Sequence, residues 1–399
     1  MMMKSITDIC EINPPKKEIA HMDGSTKVSF IPMTSVSEEG QVNLSEVRML
    51  DEVRSGFTYF SNGDVLFAKI TPCMENGKGA LVNHLVNGVG FGSTEFHVLR
   101  PKENIDGKWL YYVTKSKVFR STAEINMTGS AGQKRVPTSF FDKYKVFVPT
   151  LDQQKRIAQI LDKAQQLIDK RKEQIEACDK LIKSQFIEMF GMPHEMRFTT
   201  KTLPQIITGD KNALKRGPFG GSLKKDDFVD KGYLVYEQRH AIHNDFEYEK
   251  YYITEEKYRE MEMFKVVPGD LLISCSGVTL GRIAEAPVGA KEGIINQALL
   301  KVTLNQDIMH NTFFMTLFRN EEIQDILFGF SRGSGIPNFP SMNEVKAVNF
   351  LCPPIELQNQ FAEFVQQVDK LKFEMEQSLV ELENNFNALM QKAFKGELF

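Results

Sequence analysis

The chain reads Val148-Pro149-Thr150-Leu151-Asp152-Gln153-Gln154-Lys155-Arg156-Ile157-Ala158. Then, 204 residues later, it reads Cys352-Pro353-Pro354-Ile355-Glu356-Leu357-Gln358-Asn359-Gln360-Phe361-Ala362. Pro149 falls on Pro353, Gln154 on Gln358 and Ala158 on Ala362, with Leu151/Ile355, Asp152/Glu356 and Ile157/Phe361 as conservative pairs between them. The same offset places Gly129-Ser130 on Gly333-Ser334, Leu167 on Leu371 and Phe190 on Phe394. Upstream, Gly63-Asp64-Val65-Leu66-Phe67 falls on Gly269-Asp270-Leu271-Leu272-Ile273 with the offset changed to 206. Identity is sparse, and the inference rests on the same order of elements occurring twice at nearly one offset. A period near 200 residues marks a duplicated domain, because solenoid repeats run about 20–50 residues.

Each quoted stretch opens a long helix. From Asp152 to Phe190 there is no Pro or Gly; Thr150 and Gln153 have the spacing of a capping box, and Gly191 and Pro193 stop the helix. The second copy runs from after Pro354 to about Lys395, before Gly396. Alternating steps of four and three from Ile157 give Ile157, Leu161, Ala164, Ile168, Arg171, Ile175, Cys178, Ile182, Gln185 and Met189. The second copy gives Phe361, Val365, Val368, Lys372, Met375, Leu379, Leu382, Phe386, Leu389 and Ala393. An apolar stripe sustained over four heptads is a coiled-coil seam, and charge fills the other faces (Asp162, Lys163, Asp169, Lys170; Glu374, Glu376, Glu381, Glu383). The economical partner for the first helix is the second. A helix of about 40 residues is about 60 Å long, too long for a small domain to cover, so each is expected to extend as an arm. Duplicated units favour a twofold relation, and hence antiparallel pairing.

The predicted fold is therefore α+β: two β-rich mixed domains joined by two long helices that pair as an antiparallel coiled coil with a pseudo-twofold internal repeat. The expected boundaries are a first domain at 1–150, a first helix at 151–191, a second domain at 192–354 and a second helix at 355–399. Short apolar runs at Val65–Ile70, Phe96–Leu99, Leu234–Tyr236, Asp270–Ser274 and Ala298–Val302, separated by Gly, Asn and Pro, read as strands.

Composition narrows the function. The 399 residues are 42% hydrophobic and 25% charged, an ordinary globular make-up, with 49 basic and 52 acidic side chains and a net charge of −3. That balance excludes a polybasic histone-like or membrane-surface protein. No apolar run approaches the length of a membrane span, and Met1–Lys17 lacks the apolar core of a signal peptide, so the expectation is a cytoplasmic protein. The five cysteines are scattered with no CxxC, which reads as reduced thiols. Catalytic motifs fall short. Asn13-Pro14-Pro15-Lys16 lacks the aromatic fourth position of an adenine-methyltransferase loop, and the glycines of Phe328–Gly335 fit no phosphate-loop spacing. His240 and His243 have no third metal ligand nearby. No catalytic residue and no metal ligand is assigned.

Two repeated, chemistry-free globules describe a bivalent recognition device or scaffold. In the first half the Gly-Asp strand leads into Ala68-Lys69-Ile70-Thr71-Pro72-Cys73-Met74-Glu75-Asn76-Gly77-Lys78, and in the second into Ser274-Cys275-Ser276-Gly277-Val278-Thr279-Leu280-Gly281-Arg282. Both loops are polar, rich in glycine and end on a base. Gly129–Arg135 and its copy, Gly333–Phe339, form a second pair, and Lys215–Lys225 adds a third loop in the second half. Backbone N–H groups with Lys and Arg suit phosphates, and Asn, Gln and Arg suit base edges in the major groove. The candidate DNA-binding residues are Lys69, Asn76, Lys78, Gln133, Lys134 and Arg135 in the first domain. In the second they are Arg216, Ser222, Lys224, Gln238, Arg239, Ser276, Arg282, Arg332 and Asn338. No segment is strongly basic: residues 1–150 carry 18 bases against 16 acids and residues 192–354 carry 19 against 21, so any DNA face is local.

On these motifs, and on Gly217-Pro218-Phe219-Gly220, the chain resembles the specificity (S) subunits of type I restriction-modification systems over essentially its whole length. The resemblance implies a non-catalytic targeting subunit for DNA methylation and host defence. Each recognition domain would read one half of a bipartite, asymmetric site on double-stranded DNA, and the helices would set the gap. It implies two methyltransferase (M) subunits carrying S-adenosylmethionine, and restriction-translocase (R) subunits using ATP and Mg. Alternatives are the targeting subunit of a related type II enzyme and a coiled-coil scaffold that binds no DNA.

Overall fold

The computed structural model describes residues 2–130, 132–195, 197–219, 221–329 and 339–398. The chain forms two compact units. Unit 1 comprises Met1–Glu173 and Glu376–Phe399, and unit 2 comprises Gln174–Met375, so each holds part of both long helices.

Unit 1 contains two four-stranded sheets. One runs Cys10–Ile12, Phe96–Pro101, Val65–Ala68, Gly79–Leu81 and is antiparallel throughout. The other runs Val47–Met49, Lys27–Ile31, Val89–Gly92, Thr58–Ser61 and has one parallel pair, Lys27–Ile31 with Val89–Gly92. Val65–Ala68 is buried on both faces, which explains its unbroken apolar run. Val65 and Phe67 enter a core with the helices while Leu66 and Ala68 enter a separate one, as the two-residue period of a strand requires. The turn before it needs Gly63, at φ 87°, and the Asp64 carboxylate, which accepts from the Ser61 N–H at 2.7 Å.

Unit 2 repeats this plan. Its sheets run Leu214–Arg216, Leu299–Val302, Leu271–Ser274, Ile283–Glu285 and Phe228–Val229, Tyr252–Ile253, Tyr233–Tyr236, Gly293–Ile295, Lys265–Val266, the second again holding one parallel pair. Phe228–Val229 is the added strand. Gly269, at φ 89°, and Asp270, accepting from Val267 N–H at 2.8 Å, rebuild the same turn. The Gly-Asp repeat in the sequence is thus a repeated turn.

The helical layers agree more closely still. In unit 1, the helices Gly107–Lys115 and Lys117–Ile125 precede Ser139–Lys143 and a strand, Lys145–Val148, that pairs with Met2–Ser5. In unit 2, Asn311–Phe318, Glu321–Phe328 and Met342–Ala347 precede Asn349–Leu351, which pairs with Thr200–Thr202. A buried glutamine fastens each layer to its arm. Gln154 Nε2 donates to the carbonyls of Asn104 and Pro149, and its Oε1 accepts from Asp106 N–H. Gln358 Nε2 donates to Ile308 and Pro353, and its Oε1 accepts from His310 N–H. Asp106 and His310 are the N-caps of the equivalent helices, so each glutamine satisfies groups that a helix start leaves open.

The arm helices are Leu151–Phe190 and Ile355–Lys395. Thr150 and Gln153 form the expected reciprocal cap, and Gly191 and Gly396 leave the helices at φ 78° and 75°. The pairing is antiparallel. In unit 1 Ile157, Leu161 and Ile168, from the start of the first helix, share a core with Phe386, Met390 and Ala393, from the end of the second. In unit 2 Phe186 and Phe190, from the end of the first, share a core with Phe361 and Val365, from the start of the second. Ala164, Ile175, Ile182, Met375, Leu379 and Leu382 are half-buried, and Val368 is buried. Phe186 and Phe190 are more deeply placed than the heptad positions Gln185 and Met189 beside them. A 3.6-residue helix drifts about 20° per heptad against a 3.5 repeat, and these last turns pack on Phe313 of the globule. The ion pair Lys172–Glu383 joins the helices beside the seam in unit 1, and in unit 2 the seam position Lys372 pairs with Asp179.

Candidate nucleic-acid interface

In unit 1 three separate stretches meet at one edge of the sheet. The loop after Val65–Ala68 folds on itself: Met74, Asn76 and Lys78 N–H groups donate to the Ile70, Pro72 and Cys73 carbonyls, and Gly77 takes φ 88°. Arg120, buried beneath, donates Nη1 to Met74 O at 2.6 Å and clamps the loop from inside. Burial holds the Arg120 guanidinium at about 10, well below its usual range, so holding it there is costly, a cost offset by its carbonyl partners and by the Phe67 ring 5.3 Å away. Lys78 Nζ reaches Met33 O at 3.3 Å and ties the loop to the turn Met33–Ser35. The 128–135 hairpin then closes over the loop. Thr71 N–H donates to Lys134 O, Val136 N–H to Lys69 O, and Ile70 bridges Arg135.

This packing gathers Lys69, Gln133, Lys134 and Arg135 into one patch. Gln133 and Lys134 are exposed, Lys69 and Arg135 half-exposed. Glu95, which the sequence reading passed over, sits at the centre. Arg135 Nε donates to both Glu95 carboxylate oxygens at 3.0 and 3.2 Å, and Nη2 donates to Oε1 at 2.8 Å. The arginine's hydrogen bonds hold Glu95 below the usual carboxylate range. Burial lowers Lys69 despite that carboxylate. His97, beneath them, is buried and held at about 4, hence neutral at pH 7, with Nε2 on Val136 O at 2.7 Å. Asn76 is exposed at the loop tip, apart from these bonds.

Unit 2 places corresponding stretches together. Helix Gln238–His243 lies where Met33–Ser35 lies in unit 1, and Gln238 Nε2 donates to Ser276 Oγ, joining two candidates far apart in sequence. Ser274 Oγ donates to Thr279 O and accepts from Arg282 N–H at 3.0 Å, while Gly277 and Gly281 take φ 76° and 78°. This closes the Cys275–Arg282 loop, with Val278 at its tip 97% exposed. Arg282 is exposed on the wall of a cleft of about 550 Å³ shared with Leu280, Arg319 and Gln324. Arg239 lies 4.2 Å from the Tyr248 ring and pairs loosely with Asp245 at 3.5 Å. His240 is a core histidine whose ring nitrogens meet Glu237 and Tyr248 backbone.

The 215–225 loop starts at a close approach. A Cβ on Gly217 would lie 1.8 Å from Asn296 O, so glycine is required there. Arg216 then lies over the rings of Phe219 (5.2 Å) and Phe339 (5.4 Å), and Phe219 is 62% exposed. An exposed aromatic beside a guanidinium is a surface on which a base or sugar can stack. Ser222 and Lys224 are exposed; Ser222 Oγ donates to Phe219 O at 2.8 Å. Arg332 and Asn338 lie outside the described residues. Besides Glu95, the sequence reading missed Arg120 and Phe219. Nothing local marks Arg120, but Phe219, flanked by Gly217 and the Lys-rich Lys215–Lys225 stretch, was visible as an apolar ring in a polar loop.

A family model described as the type I restriction modification DNA specificity domain matches residues 1–177 and 219–384, one stretch in each half of the repeat. The Escherichia coli type I restriction enzyme EcoAI specificity subunit is 39% identical over 186 residues, covering 45% of this chain and 31% of that one. The Escherichia coli EcoEI specificity subunit is 38% identical over 172 residues, covering 43% and 28%. Each match thus spans under a third of the relative's own length. A solved chain from a structural study of complex assembly and conformational transition in the type I R-M system has a TM-score of 0.65. It is 17% identical, with 100% of this chain and 98% of that one covered, which shows a shared fold. No helix among the described residues is long and apolar enough to cross a membrane.

Proposed function

The chain belongs to the type I restriction modification DNA specificity family, and from that premise we propose that it is the non-catalytic DNA-recognition subunit of a type I restriction-modification complex. Each unit reads one half of a bipartite, asymmetric double-stranded DNA target through the loops described above. The paired helices set the gap between half-sites and dock two methyltransferase subunits. Those subunits bring S-adenosylmethionine; a restriction-translocase subunit brings ATP and Mg. The complex acts in the cytoplasm.

The observation that carries the reading is a polar loop face built twice, on equivalent strand ends, in the two stretches that match the family. Lys69, Lys134 and the exposed bases of unit 2 supply local positive charge to a chain of net charge −3. Such a chain binds specific DNA within an assembly and has weak nonspecific affinity by itself.

The test is modified-base sequencing of DNA from cells that carry the chain with its methyltransferase. The expected result is methylation at a bipartite, asymmetric motif that vanishes when the chain is deleted. Methylation unchanged by the deletion would overturn the reading.

A further inference from the structure

The Arg135–Glu95 pair holds a guanidinium in a fixed plane. A guanidinium has five N–H groups. Arg135 spends Nε–H and one Nη2–H on the Glu95 carboxylate and one Nη1–H on Gln133 O at 3.1 Å. Among the described residues this leaves one N–H on each terminal nitrogen. The two terminal nitrogens form the end-on edge that meets a bidentate acceptor. The plane is held from two sides, by Glu95 on one flank and the hairpin carbonyl on the other. The side chain as a whole is 42% exposed.

Two acceptors fit that edge: a phosphate, or guanine through O6 and N7. The surroundings decide between them. A carboxylate within hydrogen-bonding distance of the same guanidinium repels a charged phosphate more strongly than the partial charges of a neutral base edge. Phosphate binding also needs no fixed plane, whereas reading O6 and N7 together does. Lys69, half-buried beside the pair, and exposed Lys134 are better placed to serve the DNA backbone, since their neighbours leave the patch a net positive charge.

We propose that Arg135, oriented by Glu95, reads one guanine in the half-site bound by unit 1, with Glu95 as a positioning residue. This rests on the DNA-recognition reading above. The experiment uses the full chain co-expressed and purified with its methyltransferase. Once the wild-type motif is known, methylation is measured on duplexes altered singly at each motif position, for wild type, Arg135→Lys, Glu95→Gln and Glu95→Asp. Arg135→Lys is expected to reduce the preference for guanine at one position by about 10- to 100-fold, given the discrimination of a bidentate contact. The other half-site is read as before. Glu95→Gln relaxes the same position by several-fold, and Glu95→Asp restores part of the preference, which loss of folding would not do.

A uniform fall in methylation across all duplexes, with every base preference intact, would overturn the proposal and leave the DNA-recognition reading standing. Unaltered preferences in all three variants would do the same. A wild-type complex with no preference at any position would overturn both.

Discussion

The bonds around Gln154 and those around Gln358 match one for one at a single offset, whereas the loops after Ala68 and Ser274 share little beyond where they start. One region of each unit is copied bond for bond, and another is free to differ. The copied part joins a helix start to an arm, where a changed glutamine strands buried polar groups. The divergent part lies at strand ends, where loops close on their own backbone and carry exposed polar side chains such as Asn76 and Arg282. The proposed function, in which like partners dock twice and two different half-sites are read, calls for this division.

The sheet beneath the loops already diverges, and the largest expected effect lies there. Asp64 pairs with Arg100 at 2.8 Å, while Arg100 also holds Glu18 and Ser61 Oγ. The equivalent Asp270 is fully buried, accepts from Thr303 at 2.5 Å and faces Lys301, whose side chain is 8% exposed, at 3.8 Å. Asp270→Asn removes the counter-charge of the buried Lys301, which keeps its bond to Lys265 O at 2.6 Å, and should cost about 3–5 kcal/mol. Asp64→Asn leaves Arg100 its other partners and should cost about 1–2 kcal/mol. Urea unfolding measures both, and equal losses would mean that the two carboxylates do the same work.

Next in size are Gln154→Leu and Gln358→Leu. Each removes two donors and an acceptor from partly buried groups, for about 2–4 kcal/mol. Losses equal within experimental error would support the matched bonds; a neutral result at either site would break the equivalence. Smaller still is Gln238→Ala, which removes the side chain held by Ser276. It should relax one base in the half-site of unit 2, by about 1–3 kcal/mol of discrimination, and leave the other half-site unchanged. Competition binding with singly substituted duplexes would show it, and a shift in the unit 1 half-site would contradict it. The smallest is Thr150→Ala. The first arm helix has a hydroxyl cap, but the second begins behind Pro354 without one, so the loss should be about 1 kcal/mol, read as a lowered urea midpoint.

Much of the fold was legible because its signals are local or periodic. The duplication shows in matched Pro, Gln and Ala positions, the seam in its four-three spacing, and the turns in Gly63-Asp64 and Gly269-Asp270. The run Val65–Ile70 ends as a strand at Ala68 because Lys69 already belongs to the loop, a change of partner that no propensity records. The candidate interface was legible as loops but not as contacts. Lys69, Glu95 and Arg135 lie on three separate stretches, and only strand pairing brings them together.

The sequence by itself determined the duplication, the two long helices and the apolar stripe that makes them pair, because spacing along one chain is enough to specify each. Tertiary structure alone decided which charges meet. It placed Glu95 against Arg135, Gln238 against Ser276, and Lys301 against Asp270. A side chain's partner depends on which strands lie side by side, and a strand's register is set by burial and backbone hydrogen bonds far from the residues it aligns.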